Sequence, residues 1–154
     1  MFLLISKYND NNLFLSEKQK NTILQGSDFY RLYYSDENIT LNGIYLNYII
    51  VDINIQKYFN KIKCNFDSIK NKEEIKNILN IEKNILMKFK HFIGKTPEYI
   101  IEDQLMQNFI KIFTEKNISY GNYSKINLIL KISGIWVDNK NYGLTFRFLI
   151  NHQQ

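Results

Sequence analysis

The pattern that most limits the fold of this chain lies near its end. "KINLILKISGIWVD" and "YGLTFRFLI" alternate apolar and polar residues on either side of "DNKN". Period-two alternation flanking an Asp/Asn-rich turn is the signature of an antiparallel hairpin. Strict alternation puts Ile129, Lys131, Ser133 and Ile135 on one face, and Leu130, Ile132, Gly134 and Trp136 on the other. In the partner strand, Thr145, Arg147 and Leu149 alternate with Leu144, Phe146 and Phe148.

Earlier segments add strands and one change of period. "FLLIS" and "NLFLS" are short apolar runs that read as strands. "DFYRLYYS" places Phe29, Arg31 and Tyr33 on one face and Tyr30, Leu32 and Tyr34 on the other. "SDEN" is a turn cluster, and "ITLNGIYLNYIIVDI" resumes as strand. Within it, Asn42-Gly43 marks either a hairpin or a bulge that bends one long strand. From Asn71 to Ile93 the period becomes helical, with Ile75, Ile78, Leu79, Leu86, Phe89 and Ile93 on one face. Gly94 supplies a stop and Pro97 follows. Glu82 interrupts the apolar face. "PEYIIEDQLMQ" suits a short second helix, and "NFIKIF" a strand with Phe109, Lys111 and Phe113 on one side. The expected fold is a single α+β domain spanning residues 1–154. Its mostly antiparallel sheet can close into an oligonucleotide-binding-like β-barrel, with one long basic amphipathic helix and one short helix inserted between strands.

Composition limits the function classes. A 45% hydrophobic content with one proline argues against disorder. No apolar run is long enough to span a bilayer, and "MFLLISKYND" lacks the basic region of a secretory signal, so neither membrane nor secretion is expected. The single cysteine, Cys64, suits a reducing compartment. Alanine is absent, and only Arg31 and Arg147 among 20 basic residues are arginine. The abundant Asn, Ile, Lys, Tyr and Phe all have AT-rich codons, so codon bias supplies lysines and tyrosines freely and makes the two arginines more informative. Residues 57–90 hold nine lysines against Asp67, Glu73, Glu74 and Glu82, which accounts for the whole net charge of +5. Lys72, Lys76, Lys83 and Lys90 fall within a stripe of roughly 40° on the helix. Such a stripe is either a solvated flank or a track for an anionic polymer.

Chemistry for catalysis is sparse. Cys64 with His91 is the only nucleophile–base combination, Glu102-Asp103 point apart on a helix, and the glycines are scattered singly. No metal-type spacing or cofactor motif is present, so a non-enzymatic protein without cofactors is expected. Binding to single strands needs rings for base stacking and cations along the backbone path. The candidates are Tyr30, Tyr33, Tyr34, Trp136 and Phe146 as rings, and Arg31, Lys111, Lys131 and Arg147 as cations. Phe109 and Phe113 accompany Lys111. Against this, rings in a small barrel mostly fill its interior, and an arginine can serve a structural ion pair.

Two stretches carry a resemblance. "KNTILQGSDFYRLYYSDENITLNGIYL", residues 20 to 46, resembles a pattern in small proteins of nucleocytoplasmic large DNA viruses. "LKISGIWVDNKNYGLTFRFL", residues 130 to 149, resembles the closing hairpin of the same group. The hairpin is also similar, more weakly, to the final strands of phage T7-type single-stranded DNA-binding proteins, through Trp136, Tyr142, Phe146 and Arg147. Those proteins end in an acidic, aromatic-tipped tail, where this chain has "NHQQ". The resemblance implies an oligonucleotide-binding barrel, a role in viral DNA replication, and residence in the host cytoplasm (the viral factory) or the virion. The expectation from another class is a structural or assembly protein, acting by self-association through β edges or contacts with viral proteins.

Overall fold

The computed structural model describes residues 7–113 and 117–151; the strand expected at "FLLIS" lies outside them. Among the described residues, ten strands and three α-helices follow in the order β1 (Leu13–Leu15), β2 (Gln19–Lys20), β3 (Asp28–Ser35), β4 (Thr40–Asn42), β5 (Ile44–Tyr58), β6 (Lys61–Phe66), α1 (Lys72–Lys88), α2 (Lys90–Ile93), β7 (Thr96–Pro97), α3 (Ile100–Met106), β8 (Phe109–Phe113), β9 (Gly121–Val137) and β10 (Asn141–Ile150). The fold is α+β, as the sequence predicts.

Five of the strands close on themselves. β5 pairs with β6, β6 with β8, β8 with β10, β10 with β9, and β9 with β5. All these pairings are antiparallel except β8 with β10. The fourth strand of this set returns to lie beside the first, the Greek-key arrangement of an oligonucleotide-binding barrel. The helices enter between the second and third. β9 is long enough to serve two neighbours on one edge: β5 pairs with it up to Ile132, and β3 takes over from Gly134 to Val137.

Asn42-Gly43 resolves as a bend, not a hairpin. β4 stays on β3 while β5 crosses to β9, and Gly43, with φ of 91°, donates its N–H to the Leu32 carbonyl at 2.8 Å. A Cβ there would lie 3.0 Å from the Ile132 carbonyl oxygen. The closing hairpin is present, its turn held by the Asp138 carboxylate accepting from the N–H groups of Lys140 (2.8 Å) and Asn141 (2.7 Å). Its faces differ from strict alternation. Thr145 pairs with Gly134 but Phe146 with Ile132, so Ser133 is an extra, bulged residue. The bulge reverses the alternation: Ile132 and Ile135 both face the core, while Gly134 and Trp136 face outward with Lys131.

One core joins barrel and helices. The helical segment breaks at Phe89 into α1 and α2, and Gly94 ends it in the left-handed conformation. Ile78 and Leu86 are buried as expected, but so are Ile81 and Ile85. The apolar face is wider than the sequence suggests because β5, β10 and α3 all pack against α1. The Tyr142 hydroxyl ties β10 to α1 by donating to the Leu86 carbonyl at 2.6 Å. Asn71 is buried and caps an exposed strand edge, accepting from the Val51 N–H (2.8 Å) and donating to the Val51 carbonyl (2.9 Å). Among the described residues, no helix is long and apolar enough to cross a membrane.

Candidate nucleic-acid interface

Each barrel strand sends alternate side chains to the core and to the outside. On β6, Ile62, Cys64 and Phe66 pack inward, leaving Lys61, Lys63 and Asn65 outside. On β8, Ile110 and Ile112 are in the core and Phe109, Lys111 and Phe113 are outside. Register then aligns one cation from each of four adjacent strands. Lys63 pairs with Lys111, and Lys131 with Arg147. The parallel pairing of Phe148 with Ile112, carried back one residue, sets Arg147 beside Lys111. The row Lys63, Lys111, Arg147, Lys131 ends on Tyr45, the β5 partner of Lys131. With strands ~4.8 Å apart, it runs about 14 Å across the barrel.

Like charges directly opposite one another weaken a sheet by roughly 0.2–1 kcal/mol per pair. Among the described residues no carboxylate lies within ion-pair distance of these four; the one ion pair there joins Lys70 to Asp52 at 2.5 Å. Rings take the place of acids. Lys63 lies 4.4 Å from the Phe109 ring centroid and 5.4 Å from that of Tyr58. Lys111 is 5.5 Å from Tyr58, Arg147 is 4.7 Å from Phe113, and Lys131 is 5.5 Å from Tyr45. A cation on a ring face keeps its charge and leaves N–H groups for an anion. Between β8 and β10 the surface opens into a depression of about 250 Å³ lined by Lys61, Gln104, Lys111, Phe113, Phe146 and Arg147. Gln104, from α3, accepts the Lys111 backbone N–H at 3.2 Å.

The sequence candidates separate into groups. Lys111, Lys131 and Arg147 are brought together. Phe146, the partner of Ile132, turns toward the core on the face opposite Arg147, edge-to-face with Phe148 at 5.8 Å, and only borders the depression, so it is not a ring of the outer face. Arg31 and Tyr33 lie on the outer face of β3. Arg31 stands opposite Gly134, one row away from the cations, with its guanidinium 6.0 Å from Phe29 and donating to Asn42 at 3.1 Å. Tyr30 packs edge-to-face on Phe92 at 5.6 Å. Tyr34 is 1% exposed, so no base can reach its ring; its hydroxyl accepts from the Asn9 N–H (3.2 Å) and donates to the Lys7 carbonyl (3.2 Å). Trp136 faces outward but is 9% exposed, because its indole lies across Gly143, where a Cβ would come within 2.8 Å of the ring. That contact explains why position 143 is glycine. Lys72, Lys76, Lys83 and Lys90 are exposed on the helical layer and belong to a different set of elements from this row.

Lys63 was not among the sequence candidates, although "KIKCNF" carries the alternation that marks its strand. Cys64 points into the core, where burial pushes its thiol up to about 12, so it is no nucleophile at neutral pH. Glu82 is a structural group. Its carboxylate accepts the N–H groups of Ile101 (2.8 Å) and Glu102 (2.9 Å) at the start of α3. Burial raises its pKa to about 7, against the pull of those two hydrogen bonds and with help from the nearby Glu102 and Asp103 charges. No family model, curated protein or solved structure matches this chain.

Proposed function

We propose that this protein binds single-stranded nucleic acid, without catalysis, across the outer face of β6, β8, β10 and β9. The observation that carries the proposal is the row Lys63, Lys111, Arg147, Lys131: four cations in register with no carboxylate partner among the described residues, over rings, on one wall of a Greek-key barrel. A sheet tolerates such opposed charges at a cost to stability, and a polyanion crossing the strands removes that cost. At ~3.4 Å per nucleotide of a stacked strand, the row matches about four nucleotides. The resemblance to proteins of large DNA viruses makes replication in the viral factory the context of this binding.

The test is fluorescence anisotropy with a labelled oligothymidine from ~50 to ~200 mM salt. Four phosphates neutralised at ~0.7 each give a slope of log K against log salt of about −3. Absence of saturable binding at low salt would falsify the proposal. A reading through protein contacts draws on exposed Phe14, Ile23 and Leu24 beside β1 and β2. It requires self-association in sedimentation velocity together with indifference to oligothymidine.

A further inference from the structure

The turn between β5 and β6 has two residues, Phe59 and Asn60, between the paired Tyr58 and Lys61. Phe59 has φ of 53°, and Asn60 is not in the positive-φ region. A two-residue turn with positive φ at its first position normally takes glycine there. A phenylalanine is strained in that conformation because its Cβ crowds the backbone. Burial does not compensate, since Phe59 is 82% exposed. Its ring contact is with Tyr58, at 4.9 Å and 77°. Tyr58 is the ring shared by Lys63 and Lys111 at one end of the cation row. An exposed aromatic is thus held, under strain, on a two-residue hairpin tip beside the row. Strain of this kind clusters at binding sites.

Resting on the function proposed above, we infer that Phe59 stacks an unpaired base at the Lys63 end of the row and makes the interface prefer single strands to duplex. The cations meet phosphates in either form. A base within a duplex is covered on both faces, so a ring at the end of the row can engage only a base that is free to leave its stack. Phe59 is therefore the group that tells the two forms apart.

The experiment compares the full-length protein with Phe59→Gly, Phe59→Leu and Phe59→Trp. Affinities are measured for oligothymidine, for an abasic oligonucleotide of equal length, and for a duplex. Phe59→Gly should keep or raise the thermal midpoint, because glycine relieves the turn. It should nonetheless weaken oligothymidine binding by about tenfold, within the range of one stacked base. Abasic and duplex affinities should stay within about twofold, since they depend on the phosphates. Phe59→Leu should bind like Phe59→Gly, and Phe59→Trp should restore affinity. Unchanged oligothymidine affinity in Phe59→Gly would overturn the inference while the wild-type protein still binds. So would an equal loss on the abasic strand. Loss of self-association in Phe59→Gly with oligothymidine affinity intact would assign the ring to protein contacts and also overturn it. Failure of the wild-type protein to bind any strand would instead fall on the function proposed above.

Discussion

Two surfaces of this protein each present four cations, and they differ in what surrounds them. On the barrel, Lys63, Lys111, Arg147 and Lys131 come from four strands and sit over rings. On the helices, Lys72, Lys76, Lys83 and Lys90 come from one run of sequence, and the first two line a groove together with Ile75, Leu79 and Met106. The barrel row packs its charges into about 14 Å. The helical stripe spreads the same number over about 27 Å at 1.5 Å per residue. The screening length in physiological salt is ~8 Å, so neighbours in the row feel one another and Lys76 and Lys83 hardly do. A count of lysines does not distinguish these surfaces; register does.

The largest expected effect comes from reversing charge on one surface at a time. Lys111→Glu with Arg147→Glu, and Lys76→Glu with Lys83→Glu, each lower the net charge of +5 by four, to +1. The barrel pair should lose about 100-fold or more in oligothymidine affinity at low salt and flatten the salt dependence. The helical pair should lose about threefold at most, a general electrostatic effect. Equal losses from both pairs would remove the distinction between the surfaces and leave only net charge.

A second expected effect asks whether the helical layer supports the row structurally. Glu82 holds the start of α3, and α3 supplies Gln104 to the Lys111 backbone. Glu82→Ala strands two N–H groups and should lower unfolding stability by about 2–4 kcal/mol in urea titrations. Binding by the folded fraction should weaken far less than with the barrel pair. The raised pKa fixes a pH signature. Between its ordinary value of 4.5 and about 7, Glu82 holds a proton in the folded state that it loses on unfolding. Its contribution to stability is thus full below about 4.5, falls as pH rises through about 7, and is flat above. At ~1.4 kcal/mol per pKa unit the change is a few kcal/mol at most. Glu82→Gln should flatten the profile in that window; a profile unchanged by Glu82→Gln would show that another group titrates there.

Much of this architecture was legible in the chain. "DNKN" marks its hairpin, Gly94 its helix end, and Phe109, Lys111 and Phe113 share a face because a short strand with no bulge obeys strict alternation. What was hidden depends on contacts between distant segments. Ser133 carries no signature of a bulge, yet it moves Trp136 to the outer face and Ile135 to the core. Lys63 and Lys111 are neighbours only because β6 and β8 pair across an insertion that holds all three helices. Glu82 looks misplaced on an apolar face until α3 presents its N–H groups. The tyrosine-rich stretch from Tyr30 onward divides by alternation as expected, but burial of Tyr34 and the packing of Tyr30 on Phe92 could be seen only in the fold.

The smallest expected effect is the most specific to register. Replacing Lys63 alone also removes its contacts with Phe109 and Tyr58, so a single substitution mixes ring contact with repulsion. A double-mutant cycle on Lys63→Gln and Lys111→Gln separates the pair term from the rest. Because the two residues are directly opposed across β6 and β8, the cycle should return a repulsive coupling of about 0.2–1 kcal/mol. The coupling should fade in high salt, where these exposed charges are screened. The matching cycle on Lys76→Gln and Lys83→Gln probes charges about 10 Å apart along α1 and should return a coupling near zero. Bound oligothymidine places anionic phosphate between the opposed lysines, so it should abolish the first coupling and leave the second where it was. The same coupling from both cycles, or a first coupling indifferent to oligothymidine, would show that the row is an accident of register and not an anion track.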